Sequence, residues 1–260
     1  MKILFIGDIV GRAGRTVLKQ NLQIIKEKKQ IDFTVANVEN AAGGFGLTSK
    51  LGEEILNLGV DVMTSGNHIW DKKEVYDYLA RQDRLLRPGN YPPETPGRYH
   101  FLGESRQGNL VGVLNLQGRV FMPTIDCPFR FAQQEISKLR ETTPVIIIDF
   151  HAEATSEKMA FGWFVDGSVS AVVGTHTHIP TADARILPEG TAYISDVGMT
   201  GSYESVIGMQ IDSSVSRFLT GLPSRFEPAT DLPRLCAVIL DVDETTGLTR
   251  SIEPFVVDSY

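Results

Sequence analysis

Met1-Lys2-Ile3-Leu4-Phe5-Ile6-Gly7-Asp8 opens the chain: an apolar run too short for the core of a signal peptide, ending on a glycine and a carboxylate. The run reads as a buried strand. The same phrase returns further on. Phe33 to Val38 leads into Glu39-Asn40, Val60 to Thr64 into Asn67-His68, and Val145 to Asp149 into His151. Between these runs lie longer amphipathic stretches, around Arg15 to Lys29, Thr48 to Gly59, Ala132 to Arg140 and Ser213 to Thr220. Short apolar runs alternating with helical stretches are the pattern of a layered α/β protein. Thr48 suits a helix N-cap and Gly59 a helix stop. Asp71-Lys72-Lys73-Glu74 has capping-box spacing and predicts a helix toward Leu79 with Asp71 as its cap. Pro88 to Gly97, with four prolines and two glycines, is loop. Further strands are expected at Tyr99 to Leu102, Leu110 to Leu116, Val169 to Val173, Ala182 to Leu187, Ala192 to Ser195, Arg234 to Asp241 and Ile252 to Val257. Neither a repeat nor a linker interrupts them, so one domain over residues 1–260, built on two sheets, is the expectation.

Composition narrows the function classes. The 260 residues carry 25 Lys plus Arg against 32 Asp plus Glu, a net charge of −7, and 42% are hydrophobic. That describes a folded protein with a real core and disfavours extended duplex nucleic acid as a partner. No stretch has the roughly 18 to 20 apolar residues of a membrane span, so a cytoplasmic protein without membrane attachment is expected. Cys127 and Cys236 form no CxxC pair, which argues against a zinc ribbon or disulfide scaffold and fits a reducing compartment.

In a mostly parallel sheet the carboxyl ends of the strands open onto one crevice, where ligands bind. Asp8, Glu39, Asn40, Asn67, His68 and His151 all occupy such ends, and Gly174-Thr175-His176-Thr177-His178 adds two histidines after another strand. Any one of them alone is a turn former or an interior hydrogen-bonding group. Together they make an oxygen and nitrogen donor set without thiolate, suited to Mn, Fe or Zn. A nucleotide-binding Rossmann start is the rival, with Gly7, Gly11 and Gly14 followed by Glu39, but the spacing is GxxxGxxG. That account leaves Asn67-His68, His151 and His176-Thr177-His178 without a role. There is no GxxxxGK[ST] loop, and Ser65 and Ser195 lack a GxSxG setting.

The succession Gly7-Asp8, Glu39-Asn40, Gly66-Asn67-His68, His151 and Gly174-Thr-His176-Thr-His178 resembles the calcineurin-like metallophosphoesterase superfamily. The segment Val38 to Gly44, VENAAGG, resembles its YmdB-like branch. The resemblance covers nearly the whole chain and implies a four-layer αββα sandwich, with two mixed sheets flanked by helices around two divalent transition metal ions, iron or manganese before zinc. It implies Asp8, Glu39, Asn40 and His178 as ligands of one ion and Glu39, Asn67, His151 and His176 as ligands of the other, Glu39 bridging. The histidine that usually stands two residues after the first aspartate is absent, and Asn40 takes its place. Ile69 replaces the acid often found after the GNH histidine. Asp71 could orient His68 instead, but capping is the expected role.

The activity implied is hydrolysis of small phosphodiesters by metal-bound hydroxide, with His68 as general acid or transition-state stabiliser. Cyclic nucleotides, 2′,3′-cyclic first and 3′,5′-cyclic second, are the implied substrates. Two alternatives stand beside it: a nucleotide-sensing regulatory or interaction protein with weak turnover, and a 5′-nucleotidase type of phosphomonoesterase. Loops Gly43 to Leu47, Phe161 to Asp166 and Gly198 to Tyr203 could set selectivity, with Phe45, Trp163 or Tyr203 stacking on a base. Oligomeric state is open, a homo-oligomer included.

Overall fold

The structure, a computed structural model, describes residues 1–258; the last two residues of the expected domain span lie outside the described residues. The first half of the chain runs β1 (Lys2–Ile6), β2 (Asp8–Ile9), α1 (Gly11–Lys29), β3 (Phe33–Asn37), α2 (Ser49–Asn57) and β4 (Val62–Thr64). A 3-10 turn (Asn67–Asp71), α3 (Val75–Arg81), β5 (His100–Glu104), β6 (Leu110–Gln117) and α4 (Pro128–Arg140) follow. The second half adds β7 (Ile146–His151), α5 (Thr155–Phe164), β8 (Ala171–Thr175), β9 (Arg185–Ile186), β10 (Ala192–Ile194) and β11 (Met199–Ser202). It closes with α6 (Ile211–Thr220), β12 (Pro233–Val242) and β13 (Thr249–Asp258).

Two sheets form. One has the order β2-β11-β12-β1-β3-β4, with β13 added on β12; the other runs β5-β6-β7-β8-β10-β9. Both are mixed. In the first, β1, β3 and β4 are parallel while β12 lies antiparallel to β1. In the second, β6, β7, β8 and β10 are parallel, with antiparallel edges at β5 and β9.

The period-two alternation of side chains sorts each strand between two cores. Ile3 and Phe5 of β1 face inward and meet Val113, Ile147 and Val173 of the other sheet. Leu4 and Ile6 face outward onto Val17, Leu18 and Leu22 of α1, with Ile55 of α2 and Leu79 of α3 beside them. On the opposite outer face Leu114, Ile148 and Phe150 meet Ile136 and Leu139 of α4 and Phe161 of α5. The result is helices, sheet, sheet, helices, the expected αββα order. Truncating a wholly buried ring such as Phe5 in the inter-sheet layer costs roughly 3–5 kcal/mol.

Helix signals are partly realised. Thr48 caps α2, its hydroxyl accepting from Leu51 N–H at 3.3 Å. Gly59 adopts a left-handed φ of 98° just past the helix end. Asp71, expected as a cap, caps nothing: α3 starts at Val75, and its N-cap Glu74 makes no side-chain cap bond. Phe161 to Asp166, expected as a loop, is mostly helix, because α5 extends to Phe164. Among the described residues, no helix is long and apolar enough to cross a membrane.

Candidate metal centre

The carboxyl ends of β1, β3 and β4 in one sheet and of β7 and β8 in the other converge, and polar bonds stitch the two sheets together there. Asp149 of β7 accepts from Asn37 Nδ2 at 3.0 Å, from the Thr64 hydroxyl, and through its other oxygen from Thr175 Oγ1 at 2.6 Å. Asp8, Glu39, Asn40, His151 and His178 are buried beside this seam; Asn67, His68 and His176 are half-buried at its mouth.

His151 is the hub. Its Nε2 lies 3.1 Å from Glu39 Oε1, 3.1 Å from Asn67 Oδ1 and 3.0 Å from His176 Nδ1. One imidazole N–H cannot serve three atoms that all carry lone pairs; a cation can. Glu39, His151 and His176 present donor atoms within 4.8 Å of one another. Beside them stands a second group. Asn40 Nδ2 contacts His178 Nε2 at 3.1 Å and Glu39 Oε1 at 3.2 Å, while His178 Nε2 lies 3.8 Å from Asp8 Oδ1. Asp8 Oδ1 and Asn40 Oδ1 are buried without a hydrogen-bond partner. Such oxygens are costly in a folded protein unless something absent from the polypeptide binds them. A divalent ion fits that description.

Each imidazole is set by the partner of its other nitrogen, as metal-binding histidines require. His151 Nδ1–H donates to Thr175 Oγ1 at 2.9 Å, and that hydroxyl donates its own proton to Asp149. His176 Nε2 meets Glu153 Oε2 at 3.1 Å, which turns Nδ1 inward. His178 Nδ1 donates to the carbonyl of Ile207 at 2.8 Å, which turns Nε2 inward. His68 points its Nδ1 at Asp71 Oδ2, 2.9 Å away, while its backbone N–H holds Glu39 Oε2 at 2.9 Å. Asp71 is therefore the orienting acid rather than a helix cap.

The loop carrying His176 and His178 is strained, with φ of 101° and 67° at these two non-glycine residues. A buried ion pair restrains it. Asp196 Oδ2 accepts from Lys158 Nζ at 2.9 Å, from Thr177 N–H at 2.9 Å and from Thr177 Oγ1 at 2.8 Å, and Lys158 also reaches the Thr175 carbonyl at 2.7 Å. Two glycines of the sequence blocks have a steric reason. A Cβ on Gly66 would overlap the His151 ring, and one on Gly174 would overlap the Ser195 carbonyl.

Burial opposes charge on Glu39 and His151, yet each supports the other. Glu39 is held at about 2 by His151 and the His68 N–H, and His151 is raised to about 9 by Glu39, Asp8 and Asp149. Burial and the neighbouring His151 push His176 down to about 3. Asp8 rises through burial, and so does Asp149, to about 6.

The sequence blocks thus meet at one place: Asp8, Glu39, Asn40, Asn67, His68, His151, His176 and His178 all border it. The supporting residues Asp149, Thr175, Glu153 and Ile207 were not foreseen. Of these only Asp149 carries a sequence signal, a charge inside the apolar run Val145 to Phe150. Two of the three aromatic candidates fall elsewhere. Trp163 lies on α5 with the Arg185 guanidinium over its ring, and Tyr203 packs with its hydroxyl 2.8 Å from Cys236 Sγ. Phe45 does line the cleft.

A family model described as YmdB-like protein matches residues 4–255. The chain belongs to the YmdB-like family. A Bacillus subtilis (strain 168) protein named 2′,3′-cyclic-nucleotide 2′-phosphodiesterase is 48% identical to this YmdB-like chain over 258 residues, covering 99% of this chain and 97% of its own. Two crystal structures share the fold. One is of a hypothetical protein from Thermus thermophilus, with a TM-score of 0.94, 42% identity and coverage of 100% of both chains. The other is of a novel phosphatase of Mycoplasma pneumoniae, with a TM-score of 0.93, 36% identity, and coverage of 99% of this chain and 93% of that one.

Proposed function

We propose that this YmdB-like protein is a dinuclear metal-dependent phosphodiesterase acting on 2′,3′-cyclic nucleotides and related small phosphodiesters. Asp8, Glu39, Asn40 and His178 would hold one divalent ion and Glu39, Asn67, His151 and His176 the other, with iron or manganese best suited to this nitrogen and oxygen set. The observation that carries the reading is the pair of unpartnered buried oxygens, Asp8 Oδ1 and Asn40 Oδ1, beside the donors gathered around His151 Nε2. When bound, the ions supply positive charge against the phosphoryl oxygens and make water a stronger acid.

The chain's own residues do the rest. Glu39 brings the negative charge shared by both groups and is tied to the His68 backbone, so the acid candidate and the ion-binding carboxylate keep a fixed relation. As an imidazolium, His68 donates Nδ1–H to Asp71 and gives its Nε2 proton to the departing alkoxide, which leaves the neutral ring with its remaining proton on Nδ1. The Asp149–Thr175–His151 chain fixes the ring that binds at the hub. The proposal includes one domain over residues 1–260, a cytoplasmic setting suited to the free thiols Cys127 and Cys236, and no extended nucleic-acid partner. Assay of the purified protein with Mn²⁺ or Fe²⁺ on bis-p-nitrophenyl phosphate and 2′,3′-cyclic AMP tests it. Metal-dependent multiple turnover is expected; none on either substrate overturns the reading.

A further inference from the structure

The cleft that holds the donor cluster has two unlike poles within about 380 Å³. Glu39, Asn40, His68, His176 and His178 form the polar pole; Phe45, Ile207, Met209, Phe218 and Phe226 form an apolar wall opposite. The wall is assembled from three separate segments: the glycine-rich loop after β3, the connection between β11 and α6 together with α6 itself, and the connector before β12. Phe45 joins the poles, its ring 5.1 Å from that of His68 at an interplanar angle of 67°. Phe226 is backed by the Arg217 guanidinium, 4.9 Å over its ring. Phe218 lines the cleft yet is 86% exposed, so it has much surface to gain from an apolar guest.

The wall offers little to the edge of a base. Its two hydroxyls are already committed, Ser214 Oγ to the Gln210 carbonyl at 2.9 Å and Thr177 Oγ1 to Asp196 at 2.8 Å. Glu153, also in the cleft, is engaged by His176.

We infer that this apolar wall is a nucleobase subsite that recognises its ligand by stacking and not by edge hydrogen bonds. It therefore favours purines over pyrimidines and treats adenine and guanine alike. The inference rests on the phosphodiesterase reading above and adds the base to it. Sequence-tolerant stacking of a base on aromatic side chains is worth on the order of tenfold to a hundredfold in affinity. A diester without a base forfeits that factor, and the smaller pyrimidine ring forfeits part of it.

The test compares kcat/KM of the Mn²⁺-loaded protein for the 2′,3′-cyclic phosphates of adenosine, guanosine, cytidine and uridine and for base-free ribose 2′,3′-cyclic phosphate. It is paired with saturation-transfer NMR of adenosine and uridine on the metal-free protein. Expected are equal values for adenosine and guanosine, several-fold lower values for the pyrimidines, and adenosine binding in the absence of metal. Phe45→Leu and Phe218→Ala, checked for unchanged metal content, raise KM for 2′,3′-cyclic AMP on the order of tenfold with a smaller change in kcat. The exposed position of Phe218 keeps that variant folded. A flat series, a pyrimidine preference, or tenfold discrimination between adenine and guanine overturns the inference. If no diester turns over, the phosphodiesterase reading fails, and the NMR decides separately: adenosine binding weakened by Phe218→Ala upholds the base subsite, and no binding ends it.

Discussion

Asp71 Oδ2 lies 2.9 Å from His68 Nδ1, and both residues belong to the single 3-10 turn that also carries Asn67. One tight turn therefore presents the Asn67 amide, proposed above as an ion ligand, and an oriented imidazole side by side. Removing the imidazole should remove a proton donor without disturbing the ion sites. His68→Ala is expected to keep its metal and lose on the order of a hundredfold to ten-thousandfold in kcat on alkyl diesters. Asp71→Ala should lose less, about tenfold, because the ring remains but its orientation is no longer fixed. Steady-state kinetics alongside metal analysis checks both; metal loss in either variant contradicts the division of roles.

Thr175 links the Asp149 carboxylate to the His151 ring through one hydroxyl. Thr175→Val keeps the shape and deletes the hydroxyl, leaving His151 Nδ1–H without its acceptor. Loss of such an outer partner typically weakens metal binding about 10- to 100-fold. Calorimetric titration of the metal-free variant with Mn²⁺ measures this, and wild-type affinity would show the relay to be idle.

Metal binding should also expel protons. His151, raised to about 9 despite its burial because Glu39 faces it, is protonated near pH 7 in the metal-free protein and must lose that proton to bind an ion through Nε2. His176 at about 3 is already neutral and Glu39 at about 2 already ionised, so neither adds to the release. Mn²⁺ should therefore release at least one proton per chain at pH 7, less as pH rises through about 9, and apparent affinity should fall as pH drops below about 9. Dye or pH-stat measurement checks the sign. Uptake, or no release at pH 7, contradicts it.

Gly66→Ala puts a methyl group into the space of the His151 ring, whose far side is held by Thr175. Overpacking of this kind costs typically about 1–3 kcal/mol. Denaturant unfolding of the metal-free variant should show a loss of that size, together with weakened Mn²⁺ binding. A variant as stable as wild type would mean that the ring has room to move.

The strand-end carboxylates, amides and imidazoles were legible because each follows an apolar run long enough to register, and a parallel sheet sends such ends to one crevice. β2 and β11 were not, since Asp8–Ile9 follows directly on Gly7, and Met199–Ser202, preceded by Gly198 and holding Gly201, reads as loop. The whole of α5 was missed for a different reason. Its buried residues include Glu157 and Lys158 beside Phe161 and Gly162, so no apolar stripe marks its inner face. Those charges are satisfied in space, Lys158 by Asp196 and Glu157 by the Arg119 and Val120 N–H groups. Asp71 was misassigned because local spacing favours a cap, whereas its partner His68 is placed by a 3-10 turn that spacing does not announce. The carbonyl of Ile207 that sets His178 lies 29 residues away and has no side-chain signature.

The central claim is that Glu39 joins two ion sites in one cluster. Elemental analysis of the wild-type protein and of Glu39→Gln, both purified without added metal, tests it most directly. About two transition metal ions per chain in the wild type and fewer than about one in the variant are expected. A wild type without metal, or a variant that keeps both ions, would contradict the account.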